Sequence, residues 1–259
     1  QALLDDEALG VETLRWCTLG GGDPAARLDG LRELALHPWT GLESEGLQLR
    51  LAALRAALER LQRDWSREAP TGADAGTAAV TVVSGGAFAG LPPAASALAV
   101  LDGVRRPGAF SLLHDHAGVL APLGALPVEA DRQRLLGDLR SDLLLPLGSA
   151  LVTGTLGARK KPATMSIASV LGDERLRLEP NGLQLVDLPP GIDARLGLDP
   201  GEGSILGVTG RTLSLEVAGG LGGFFVDTRP IPLELPASGE ARRAALAAWE
   251  AAVWLGGER

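Results

Sequence analysis

The chain has almost none of the residues that would mark a disulfide-stapled, metal-built or nucleic-acid-coating protein. Cys17 is the single cysteine among 259 residues, so no internal disulfide can form and a secreted, stapled scaffold is excluded. Histidine occurs only at positions 37, 114 and 116. His114 and His116 stand at i and i+2, which is one face of an extended segment, but no third and fourth ligand accompanies them, so no metal site is expected. Tyrosine is absent, and there are only four Phe and five Trp. No aromatic occurs between Phe110 and Phe224, so that stretch must build its core from Leu, Val, Ile and Ala. Basic residues are outnumbered, 24 against 32 acidic, and the net charge of −8 argues against a sequence-independent nucleic-acid binder. Arg159-Lys160-Lys161 reads as a solvated loop rather than a phosphate patch. No apolar run reaches the ~18 residues of a membrane span. Asp5, Asp6 and Glu7 make the N-terminal stretch acidic and unlike a signal peptide, and a cytoplasmic location is expected.

What is present is a globular chain, 46% hydrophobic, long enough to bury roughly 70–75% of its unfolded surface. Val80-Thr81-Val82-Val83 predicts a strand buried on both faces. Ser84-Gly85-Gly86-Ala87 ends it in a turn that can take positive φ and admit a ligand backbone. Pro92 and Pro93 preset a helix running to about Asp102. A strand, a glycine turn and a helix N-terminus together are a general design for holding an anion or a nucleotide.

The clearest helix precedes this unit. Thr40 and Glu43 form a capping box, and Leu47, Leu51, Leu54, Leu58, Leu61 and Trp65 recur at spacings of four and three. Arg50, Arg55, Glu59 and Arg63 fall off that stripe. Gly20-Gly21-Gly22 lacks the Gly-Lys-Ser/Thr of a phosphate loop. Leu135, Leu136, Leu139 and Leu143 give a helix over 129–144 its apolar side. From Leu147 the period changes to two, with Met165/Ile167, Leu176/Leu178, Leu183/Leu185, Leu196/Leu198 and Leu213/Leu215/Val217 as half-buried strand positions. Glu179-Pro180-Asn181-Gly182 predicts a hairpin between two of these strands. Asp227 and Arg229 predict an exposed ion pair contributing only ~0–1 kcal/mol. Ser238 predicts the cap of a last helix with Ala245, Trp249 and Ala252/Val253 inward.

Val82 to Phe88 resembles the adenosine motif of the ASKHA superfamily of actin, sugar kinases and Hsp70. Ser84-Gly85-Gly86, Leu98 to Asp102 and Pro122-Leu123-Gly124-Ala125-Leu126 together resemble the glutamate mutase accessory family, glutamate mutase L. Leu188-Pro189-Pro190-Gly191 and the stretch Val217 to Pro230 resemble that family's C-terminal β region, without the Gly-Arg found in its Asp-x-Arg-Gly-Arg-Pro ending. The resemblance spans about Pro38 to Trp254. It implies α/β followed by mainly β: a partial ASKHA-like adenosine-side lobe over 1–146, then 147–259 as a small β-barrel or sandwich with a terminal helix.

It also implies a non-catalytic, chaperone-like accessory protein. ATP or ADP would be bound only when the missing lobe is supplied, through Ser84, Gly85, Gly86 and Ala87. No strand-Asp-x-Gly-x-Thr pattern exists here, so the phosphate side of such an ATPase is absent from this sequence. The alternative is a structural or interaction subunit with a degenerate nucleotide site. A hydrolase is disfavoured, since no Gly-x-Ser-x-Gly occurs and Ser84 has no identified base. The resemblance implies that an opposite lobe covers this turn, so Phe88, Leu91, Pro92 and Pro93 would leave an apolar patch, covered by a partner or by a folded-back N-terminal region carrying Trp16 and Trp39. The partner expected is the missing N-terminal portion, another subunit, or a second copy in a homo-oligomer.

Overall fold

The computed structural model describes residues 7–20, 23–40, 44–68, 78–156 and 161–253. The chain enters through three helices, α1 (Glu7–Arg15), α2 (Pro24–Leu36) and α3 (Ser44–Glu68). Asp23 caps α2 by accepting from the Ala25 N–H at 3.0 Å, with Pro24 at the first helical position. Glu43, and with it the predicted capping box of α3, lies outside the described residues.

Strand β1 (Val80–Ser84) follows, then the single turn α4 (Gly86–Ala89), helix α5 (Pro93–Gly103) and strand β2 (Gly108–Asp115). Helices α6 (Leu120–Gly124) and α7 (Glu129–Leu143) lead into β3 (Leu144–Val152). The remainder is strand until the last helix: β4 (Thr164–Ser169), β5 (Gly172–Arg177), β6 (Leu183–Val186), β7 (Asp193–Asp199), the small pair β8 (Ser204–Ile205) and β9 (Val208–Thr209), β10 (Leu213–Ala218), β11 (Phe224–Asp227), then α8 (Gly239–Val253).

Five strands form one mixed sheet in the order β1-β2-β3-β11-β6. β1 and β2 are parallel, β2 and β3 antiparallel, β3 and β11 parallel, and β11 and β6 antiparallel. The sheet therefore draws strands from both sides of Pro146. A second, antiparallel sheet has the order β10-β7-β4-β5. One face of the mixed sheet buries Phe110, Leu112, Ala150, Val152 and Phe225 against α3, α5 and α8. Its other face buries Leu151, Val186, Phe224 and Val226 against Met165, Ile167, Leu196, Leu198 and Val217 of the second sheet. Phe224 and Phe225 thus serve opposite cores, as strand alternation requires. A third cluster joins Trp16 and Cys17 to Leu31, Ala52, Ala56 and Leu246. Among the described residues both sheets are open and no barrel closes, so of the two β architectures predicted only face-to-face packing is formed. No helix among the described residues is long and apolar enough to cross a membrane.

Several local expectations are corrected. β1 is an edge strand: Val83 is buried, but Val80 and Val82 are exposed, because the second sheet does not shield that part of the mixed sheet. Phe88 and Leu91 are buried in the chain's own core, so the predicted apolar patch is not formed. Neither tryptophan is needed there; Trp16 is buried in the third cluster and Trp39 is exposed. The α3 stripe ends early, with Leu61 and Trp65 exposed, while off-stripe Arg55 is fully buried. Leu136 and Leu139 of α7 are also exposed. Glu179-Pro180-Asn181-Gly182 is no hairpin: it carries the chain from the second sheet into the first, with Asn181 at φ 56°. On α8, Val253 is buried and Trp249 packs against two of the cores, as predicted, while Leu246 and Glu250 are the further buried positions and Ala245 is only half-buried.

The connection from β10 to β11, Gly219-Gly220-Leu221-Gly222-Gly223, is built for close backbone contact. A Cβ on Gly220 would lie 2.3 Å from the Gly148 nitrogen, and one on Gly219 would lie 2.2 Å from the Pro189 carbonyl oxygen. The Gly220, Leu221 and Gly222 N–H groups donate to the Leu188, Pro146 and Leu147 carbonyls at 2.8–3.0 Å. Those donors are consumed inside the fold, and β11 is thereby locked beside β3.

Candidate functional site

The C-terminal ends of β1 and β2 lie side by side, with Ser84 paired in register to Asp115. Ligands of open α/β sheets gather outside this end of parallel strands. Gly85 takes φ 106°, and the Phe88 N–H closes the following turn onto the Gly85 carbonyl at 3.1 Å. Ser84, Gly85, Gly86 and Ala87 are all exposed. Nothing lies within 4 Å of a Cβ built on Gly85 or Gly86. The four predicted residues are therefore brought together on an open surface, where a ligand can reach the backbone from outside.

Asp115 organises the floor of this turn. Its carboxylate accepts from Ser84 Oγ at 3.1 Å and from the Val119 and Leu120 N–H groups at 3.0 Å each. Burial alone would raise its pKa, but the Leu120, Val119, Ser84 and Gly118 hydrogen bonds outweigh that and hold it below the usual carboxylate range. His114 packs at 6.2 Å from the Phe88 ring, and its pKa is lowered by burial and by His116. His116 Nδ1 lies 3.1 Å from the Leu143 carbonyl oxygen. Among the described residues no group of three or more metal-ligating side chains could hold an ion. Ser84 donates straight to a carboxylate with no imidazole between them, so its hydroxyl is positioned but not activated as a nucleophile. Cys17 is buried, and that burial pushes its pKa up to about 11, which removes the thiolate a nucleophile needs.

The charged centre of the molecule lies elsewhere, in residues that the sequence reading treated as surface. Arg55 donates from Nε to Asp102 at 2.7 Å and from Nη1 to Glu250 at 2.5 Å. Arg229 donates twice to Asp227, at 3.0 and 2.7 Å, and its Nη1 is 2.7 Å from Asp102. Arg105 pairs with Asp227 and also donates to the Arg229 and Pro230 carbonyls at 3.0 Å each. The Arg229 guanidinium lies 4.5 Å from the Trp249 ring centre.

The Asp227–Arg229 pair is fully buried rather than exposed. Burial opposes charge on both residues, yet the Arg229 and Arg105 charges hold Asp227 low and the Asp102 and Asp227 charges hold Arg229 high. One sequence signal could have found this network. Asp102 closes the apolar run Ala97 to Leu101, and Asp227 closes Phe224-Phe225-Val226, and charges at the end of fully buried runs need buried partners.

Comparison of the chain with family models, with curated proteins and with solved structures finds no match.

Proposed function

We propose that this chain is a non-catalytic accessory protein resembling the C-terminal part of glutamate mutase L. In this reading the turn Ser84-Gly85-Gly86-Ala87 receives the ribose and α-phosphate side of ATP or ADP. The supporting observation is the open turn at the C-terminal end of two adjacent parallel strands, with Gly85 at φ 106° and unobstructed space around both glycines. An ASKHA-like assembly would bury the rest of the nucleotide under an opposite lobe, supplied by the missing N-terminal portion or by another subunit. With one cysteine, itself buried, the reading also places the protein in the cytoplasm.

Alone, the chain encloses little of such a ligand, and tight sites need deep enclosure. The test is an ADP titration followed by backbone NMR. The expected result is millimolar affinity, with shifts confined to residues 84–89 and 115–120. Micromolar affinity, or shifts elsewhere, overturns the reading.

A second reading is a structural or interaction subunit whose nucleotide site is degenerate. It is favoured by β1, an edge strand with Val80 and Val82 exposed and with no second strand pairing its outer side among the described residues. Such an edge can accept a strand from a protein partner or from a second copy. Light scattering and amide exchange at 80–84 in the presence of a captured partner decide it. Protection there without any nucleotide response supports the second reading against the first.

A further inference from the structure

A cleft of about 510 Å³ opens beside the buried charge network, between α1, α3, the end of α5 and the segment after β11. Its charge is opposite to the chain's average. Arg15, Arg63, Arg67 and Arg105 line it, with Glu59 and Asp102 the acids among its walls, in a protein of net charge −8. Both acids are already engaged. Asp102 is fully buried between Arg55 and Arg229. Glu59 accepts from Trp16 Nε1 at 3.0 Å and lies 3.7 Å from Arg63.

The arginines are held in different degrees. Arg105 is spent on Asp227 and three carbonyls, and its buried Nε finds no acceptor among the described residues. Arg67 meets Asp64 at 3.6 Å with both side chains mostly exposed, a contact that costs little to exchange. Arg15 is exposed, and no carboxylate among the described residues pairs with it. The opposite wall is apolar: Ile231, Pro232, Leu233 and Leu235. The volume falls in the range of small-molecule sites, and a guanidinium fork matches a carboxylate or phosphate with two hydrogen bonds.

We propose that this cleft binds an organic oxyanion. Its phosphate or carboxylate is held by Arg15 and Arg67, and its apolar body lies on Ile231 and Pro232. The site is separate from the Ser84–Ala87 turn and does not depend on the nucleotide reading.

Calorimetric titration with phenyl phosphate and with benzoate tests the proposal, using phenol and inorganic phosphate as half-ligands. The expected result is one site for phenyl phosphate or benzoate, at least about tenfold tighter than either half-ligand. Which of the two binds identifies the oxyanion. Arg15→Gln with Arg67→Gln should weaken binding by about tenfold or more, while the thermal midpoint stays unchanged because both side chains are on the surface. Gly86→Val should leave the affinity unchanged. Equal affinity for the half-ligands, no binding at millimolar concentration, or full affinity in the double arginine variant each overturns the proposal. Loss of binding in Gly86→Val also overturns it, by moving the ligand to the turn.

Discussion

Two glycine segments that look alike in sequence behave oppositely in the fold. Gly85-Gly86 stands in open space, while the glycines from Gly219 to Gly223 are pressed against the backbone of Leu147, Gly148, Leu188 and Pro189. In the first, glycine supplies a φ that other residues avoid and leaves room outside. In the second, it removes a Cβ that neighbouring backbone could not accommodate. A glycine pair in a sequence signals a lack of bulk; only the surroundings decide whether that lack serves a ligand or the core. The distinction can be broken by graded substitution.

The largest effect is expected at Gly220. Gly220→Ala places a methyl 2.3–2.4 Å from Gly148 N and Cα, which must part β11 from β3. A loss of about 3–5 kcal/mol in urea denaturation, or no folded protein, is expected. A loss no greater than that of Gly85→Ala would collapse the comparison.

The loop delivers Asp227 and Arg229 to the charge network, so removing the cation should cost nearly as much. Arg229→Met takes one of two arginine partners from each of the buried carboxylates Asp102 and Asp227 and should cost about 3–5 kcal/mol. Its pH dependence has a definite sign. Asp227 has a folded pKa below its unfolded value, so its contribution is complete above the usual carboxylate pKa of about 4 and is lost as pH falls through the depressed folded value. Acid titration of the wild type should show that loss, and Arg229→Met should flatten it.

Next comes the open turn. Gly85→Ala meets no neighbour but must hold φ 106° and ψ 159°, a region nearly closed to side chains, and should cost about 1–3 kcal/mol. His114, packed on Phe88 beneath the turn, gives a smaller effect. Its folded pKa is lowered, so its contribution is full above about 6.5 and declines as pH drops through that value toward the folded pKa. The thermal midpoint should fall between pH 7 and 5, and His114→Gln should remove that slope. Gly86→Ala, with free space and no positive φ, should change stability by less than about 0.5 kcal/mol while reducing the ADP response of the turn.

Local order was legible in the sequence; burial across the molecule was not. The strand, turn and helix from Val80 to Gly103 were readable because proline and glycine fix backbone angles within a few residues. The period-two strands after Leu147 were readable for a similar reason. The fate of Arg55 was not, because its two partners lie 47 and 195 positions away and neither leaves a mark on the helix pattern around it. Val80 and Val82 were misplaced because a β-branched run shows that a strand forms but not whether a second sheet reaches far enough to cover it. Glu179 to Gly182 was misread because a tight turn fixes a reversal, not the sheet that the next strand joins. At the candidate site the turn was legible and its floor was not. Asp115 reaches Ser84 across a separation of 31 positions, while its other partners, Val119 and Leu120, follow it by 4 and 5.

The span between Arg55 and Glu250 also has a meaning in time. At the usual pace of synthesis, roughly 5–20 residues per second, these 195 positions take about 10–40 s to emerge. Throughout that interval the long third helix exists with a guanidinium on its inward side and no carboxylate from the last helix to meet it. The helical layer therefore cannot lock until the eighth helix has emerged. Completion waits until that helix is free to dock, and a chain cut before Glu250 would leave the buried Arg55 with Asp102 as one carboxylate in place of two.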